Sequence, residues 1–126
     1  MHKSRLGGLI IDCQTDDLTS AGEFWSQALG LATVSSSHPD DEGYIPLEDG
    51  PGKVHVELQQ VSHPNRVHID IETDNVGAEV QRLERLGAKK VKDVSDWCIM
   101  EAPTGHRFCV IPAEDDALDL LDNVWE

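Results

Sequence analysis

The stretch NRVHIDIETDNVGAEVQRLERLGAKKV, residues 65–91, decides how this chain folds. Its first part alternates. Val67, Ile69 and Ile71 take one face and His68, Asp70 and Glu72 the other, the period of two that marks a β-strand. The period then changes. Val76, Val80, Leu83 and Leu86 fall on one stripe of an α-helix. Asp74 or Asn75 supplies the N-cap, and Gly87 stands where a helix-ending glycine belongs. AKKVKDV (88–94) reads as the next strand.

Working outward, SDWCIMEA (95–102) and HRFCVIP (106–112) are two further strands parted by the turn APTG. The first half of the chain has the same order. RLGGLIIDC (5–13) is a buried strand with Leu9, Ile11 and Cys13 on one face. TDDL offers N-caps for the helix SAGEFWSQALG (20–30), whose Phe24, Ala28 and Leu29 are expected to face the core. LATVSS (31–36) is a short strand and SHPDDEG (37–43) a polar loop. GYIPLE (43–48) is a strand placed near an edge by Pro46. EDGPG is a turn, and KVHVELQQV (53–61) alternates cleanly, with Val54, Val56 and Leu58 opposite His55, Glu57 and Gln59.

"ALGLATV" answers "RLGAKKV", and Gly30 and Gly87, the two helix-ending glycines, are 57 residues apart. The chain therefore reads as an internal duplication. Two βαβββ modules, about 5–62 and 65–112, make one α+β domain with a concave mixed sheet, helices on one side and a cup on the other. An acidic tail, 113–126, follows. Its Leu118, Leu121, Val124 and Trp125 lie at helix-like spacing, so it either folds back on the body or a second subunit, or ends in solvent.

Composition narrows the function. The 126 residues are 39% hydrophobic and 27% charged, enough for one domain with a real core. With 24 acids against 10 lysines and arginines the net charge is -14, which repels phosphate backbones and argues against nucleic acid or an anionic membrane as partner. No apolar run approaches the roughly 20 residues of a membrane span, and no signal peptide is read at the N-terminus. Cys13, Cys98 and Cys109 form no CxxC pair and suit a cytoplasmic protein whose cysteines act as small hydrophobes.

The first stretch, followed by WCIMEAPTGHRFCVI (97–111), resembles the glyoxalase-like branch of the vicinal oxygen chelate superfamily, which includes glyoxalase I, extradiol dioxygenases and bleomycin-resistance proteins. The resemblance covers about residues 5–112. It implies paired βαβββ modules, a small-molecule site in the cup and a homodimer. Metal-dependent members hold one divalent ion on a His from the first strand and a Glu from the last strand of each module. Carried over, those positions fall on Gly8, Glu57, His68 and Cys109. His68 and Glu57 are thus the candidate metal ligands and catalytic residues, with His68 polarising a carbonyl or enolate and Glu57 serving as ligand or base.

Alternation sets His55, Glu57 and Gln59 on the polar face of one strand and His68 on the polar face of another. His55, Gln59, Tyr44, Arg66 and Trp97 are the candidate substrate-binding residues. Tyr44 and Trp97 can wall an apolar ligand, and Arg66 can hold an anion or pair with one of the many acids. Trp25, beside Phe24, reads as core. Two functions fit: a lyase or isomerase of glyoxalase-like type, with or without a divalent ion, and a metal-free binding protein that sequesters a small molecule, as bleomycin-resistance proteins do. A module with a vestigial cup is a third.

Overall fold

The computed structural model describes residues 1–34, 42–50, 54–113 and 123–126. Eight strands and two helices follow in the order β1 (His2–Cys13), α1 (Leu18–Leu29), β2 (Tyr44–Pro46), β3 (His55–Gln60), β4 (Arg66–Thr73), α2 (Val76–Arg85), β5 (Lys89–Val94), β6 (Trp97–Glu101), β7 (Arg107–Pro112) and β8 (Asn123–Trp125). The pairing is mixed: β1–β3 and β4–β7 run parallel, and the hairpin pairs β2–β3, β5–β6 and β6–β7 antiparallel. This is the α+β class expected from the sequence. The segment SHPDD (37–41) and Leu118 and Leu121 of the tail lie outside the described residues.

The backbone divides into two units, one of residues 8–68 and one of residues 1–7 with 69–126. In the unit of residues 8–68 the strand order is β2-β3-β1, so Pro46 does lie on an edge strand, where its missing N–H breaks no ladder. Cys13, Leu47, Val56 and Leu58 form its buried core, and Leu18, Ala21, Trp25 and Ile45 pack against them. Burying a leucine such as Leu58 contributes about 1.5–3 kcal/mol.

Helix α1 starts at Leu18, two residues earlier than the sequence suggested, with the Asp17 carboxylate accepting from the Ser20 N–H. The face turned to the sheet is Leu18, Ala21, Gly22 and Trp25, an i, i+3, i+4, i+7 stripe. Phe24 is consequently 62% exposed, and Ala28 and Leu29 are exposed too, contrary to expectation. Gly22 lies closest to β2 on this face: a Cβ there would lie 2.8 Å from Ile45 Cδ1, the end of a side chain that would have to turn aside. Gly30 ends the helix in the left-handed region (φ 70°), as read from its position. Of LATVSS only residues 31–34 are described, and they contribute one bridge, Thr33 to Leu47.

In the other unit α2 covers β5, β6 and β7. Val80, Leu83, Cys98, Met100 and Val110 are buried together, with Ile71, Val76, Ala88 and Phe108 around them. Asn75 is the N-cap, accepting from the Ala78 N–H, and Gly87 (φ 107°) follows the last turn. Leu86, expected in the stripe, is exposed because the helix closes at Arg85. The described end of the tail, Asn123–Trp125, folds back on the body as a strand. β8 pairs antiparallel with His2–Ser4, and the Trp125 indole N–H donates to Ser4 Oγ at 2.8 Å. The Arg82 guanidinium lies 3.8 Å from the Trp125 ring centroid.

Two strand readings are corrected. In β1 the buried aliphatic residue is Ile10, and Leu9 is exposed. In β4 Val67 and Ile69 are exposed, because α1 lies on β2 and β3 and α2 on β5, β6 and β7. Among the described residues, no helix is long and apolar enough to cross a membrane.

Candidate functional site

The polar face of the unit of residues 8–68 is built by register. Tyr44 of β2 stands opposite Gln59 of β3, and Gln59 opposite Asp12 of β1, so the three side chains share one row on one face. Gln59 Nε2 donates to the Tyr44 hydroxyl at 2.9 Å. The row continues into β4, where His68 Nδ1 lies 2.7 Å from Asp12 Oδ2. An ionised carboxylate only accepts, so in this pair the bond is donated by His68 Nδ1–H.

Asp12 is the residue that sequence reasoning missed. Its side chain is 1% exposed and Oδ2 is the focus of three basic groups: His68 at 2.7 Å, Arg66 Nε at 3.6 Å and His63 Nε2 at 3.9 Å. Oδ1 is buried with no hydrogen-bond partner among the described residues. A buried carboxylate with an unpaired oxygen costs stability, about 1–3 kcal/mol for the unpaired acceptor, and such costs concentrate at sites of function. A signal for it was present: alternation puts Asp12 opposite Ile11 and Cys13, on the polar face. Burial, with Asp12 beside it, pushes the neighbouring Cys13 thiol up, which keeps it protonated and unreactive.

The remaining candidates fall into separate groups. His55 Nε2 lies 3.7 Å from Glu57 Oε2, and His55 Nδ1 lies 3.4 Å from Asp49 Oδ1. The interaction with Glu57 dominates; against the opposing effect of burial it raises the His55 pKa from 6.5 to about 9, so an imidazolium faces Glu57 at neutral pH. Glu57 and His68 are therefore engaged with different partners, His55 and Asp12. Trp97 opens β6 opposite Val94 and belongs to the other unit.

The family's divalent-ion position can be tested against these residues. Gly8 offers no donor, and a Cβ at that point would sit 3.0 Å from the His55 backbone oxygen and 3.4 Å from its Cβ, leaving little room for an imidazole. Glu57 already neutralises a cation. Cys109 is buried in the other unit opposite Asp70 in the β4–β7 ladder. The four positions do not fit the two-His, two-Glu set that the resemblance implies.

Residues 8–111 match the family described as glyoxalase-like domain. No curated protein matches the chain significantly. Similar solved structures include the hypothetical protein BH1468 from Bacillus halodurans C-125, with TM-score 0.66 and 14% identity over 92% of this chain and 99% of that one. A methylmalonyl-CoA epimerase from Mycobacterium tuberculosis gives TM-score 0.60 and 16% identity over 86% and 88%. An NAD-dependent benzaldehyde dehydrogenase structure from Legionella pneumophila gives 0.63 and 8% over 84% and 97%. At such identities the likeness is one of fold. With its paired strand–helix repeats, mixed strands and a family match over residues 8–111, the chain belongs to the glyoxalase-like domain family of the vicinal oxygen chelate superfamily.

Proposed function

We propose that this protein binds a small carbonyl compound on the polar face of residues 8–68 and moves a proton at the carbon beside the carbonyl, as an isomerase or lyase. The observation that carries this reading is the 2.7 Å bond between His68 and the buried Asp12. A carboxylate behind Nδ1 fixes the tautomer, orients the ring and stabilises the imidazolium that forms when Nε2 takes a proton. Tyr44 and Gln59, already bonded to each other in the same row, supply donors for a developing enolate oxygen. Fold likeness to structures named methylmalonyl-CoA epimerase, an isomerase of an acyl thioester, agrees with the reading.

No step here runs through a divalent ion. A cytoplasmic homodimer remains part of the proposal, on the free buried cysteines and the family resemblance.

The second reading, metal-free sequestration without chemistry, is favoured by the misfit at Gly8 and by the pairing of Glu57 with His55. One experiment separates the two. Carbonyl acids and acyl thioesters are incubated with the protein in D2O, and deuterium at the α-carbon is followed by mass spectrometry. Proton-transfer chemistry gives exchange with one class, lowered about 10²–10⁴-fold in His68→Ala. Binding by calorimetry without exchange establishes the sequestration reading. Exchange that is unchanged in a folded His68→Ala variant sinks the role given to His68.

A further inference from the structure

A cleft of about 480 Å³ opens beside α1 and is lined by Ile11, Ala21, Trp25 and Val67 on its apolar side and by Gln14, Asn65 and Arg66 on its polar side. It meets the polar row described above at Asp12, which also lines it, and extends away from Tyr44, Gln59 and His68. Ile11 and Cys13 alternate with Asp12 along β1, and Val67 lies between Arg66 and His68 in β4, so the cleft wraps the ends of these strands and takes in their helix-facing side as well. Its volume falls in the range of small-molecule pockets, about 300–1,000 Å³.

Three features make it a site. The lip is held in place before any ligand arrives: Gln14 N–H donates to Asn65 Oδ1 at 2.7 Å, Gln14 Nε2 to the Ser62 carbonyl at 2.8 Å and Gln60 Nε2 to the Thr15 carbonyl at 2.7 Å. Arg66 stands at the lip, 48% exposed, with one long contact to Asp12 at 3.6 Å. That is well beyond the roughly 2.7–2.9 Å of a charge-assisted hydrogen bond, so most of its five N–H donors remain for a partner. Trp25 and Val67 offer a flat and a branched apolar surface beside it. In a chain of net charge -14 an exposed arginine over an apolar floor is a selective attraction for a small anion.

We infer that this cleft binds a small monocarboxylate with an apolar or aromatic body, the carboxylate on Arg66 and the body against Trp25 and Val67. The inference does not depend on the proton-transfer reading.

The test uses the whole chain and 3-phenylpropionate as probe, followed by amide and indole NMR shifts, with 3-phenyl-1-propanol as the uncharged comparison. The expected result is saturable shifts at Trp25, Asn65, Arg66 and Val67, binding at least tenfold weaker in Arg66→Ala, partial recovery in Arg66→Lys, and at least tenfold weaker binding of the alcohol. Arg66 is half exposed, so the variants are expected to fold, which their amide spectra check. Shifts located elsewhere, or equal binding of the acid and the alcohol, or unchanged binding in Arg66→Ala, would overturn the assignment.

Discussion

Replacing Glu79 by glutamine tests how the unit of residues 1–7 and 69–126 is held together. Glu79 lies in the first turn of α2 with its side chain fully buried, 0% exposed. Arg82 donates to it from Nε at 2.7 Å and from Nη2 at 2.9 Å, and His2 Nε2 lies 2.9 Å from Oε1. Burial pushes its carboxyl up, but hydrogen bonds from Arg82, Ser4 and His2 outweigh it, and the pKa falls from 4.5 to about 2. A depressed pKa means stability that is present above pH 4.5 and lost as pH falls from 4.5 toward 2. At about 1.36 kcal/mol per pH unit the shift corresponds to roughly 3 kcal/mol, and partial solvent contact of Arg82 lowers this to about 2–3 kcal/mol. Glu79→Gln keeps the shape and removes the charge. Urea unfolding followed by tryptophan fluorescence should show that loss at pH 7, or a Tm lower by about 10 °C at roughly 4 °C per kcal/mol for a chain of this size. The difference from wild type should shrink as pH falls through 4.5 toward 2. A loss under about 0.5 kcal/mol, or a difference independent of pH, would refute the assignment of this carboxylate as the buried anchor.

Other predictions rest on single contacts. Glu57→Gln should bring the His55 titration, read by NMR, from about 9 back toward 6.5. Because that pKa is raised in the folded state, the pair stabilises fully below pH 6.5 and loses its contribution as pH rises through 9. His55 is 38% exposed, so solvent holds the effect below about 1 kcal/mol. Gly22→Ala turns the Ile45 Cδ1 end aside but gains helix propensity, so it should change stability by less than about 1 kcal/mol in chemical unfolding, and Phe24→Ala on the exposed face of α1 should cost less than about 0.5 kcal/mol. Asn75→Ala removes the cap on Ala78 N–H and should lower stability by about 1 kcal/mol.

The sequence shows most of the elements and few of the partnerships. Alternation in KVHVELQQV places His55, Glu57 and Gln59 on the half-exposed face of β3 and buries Val56 and Leu58, because a period of two admits one register once a face is covered. In α1 the same reasoning picked the wrong stripe. Phe24, Ala28 and Leu29 and the set Leu18, Ala21 and Trp25 both have helical spacing, and the choice depends on Gly22 meeting Ile45 across a turn that local pattern does not contain. At the candidate site, His68 was visible as a lone imidazole on a polar strand face. Its partner was not, since Asp12 and His68 are 56 residues apart and meet only through strand pairing. His2 and Glu79, 77 residues apart, were hidden for the same reason. The tail's apolar spacing suggested that it folds back on the body, which β8 does against His2–Ser4, but spacing alone does not name the strand it pairs with.

The most direct test of the central claim is the ¹⁵N spectrum of the His68 imidazole at neutral pH, in wild type and in Asp12→Asn. The account predicts a ring with Nδ1 protonated in the wild type, and loss of that fixed Nδ1–H when the carboxylate is removed. A ring protonated on Nε2 alone, or a tautomer indifferent to Asp12→Asn, would contradict the pairing on which the proposed chemistry stands.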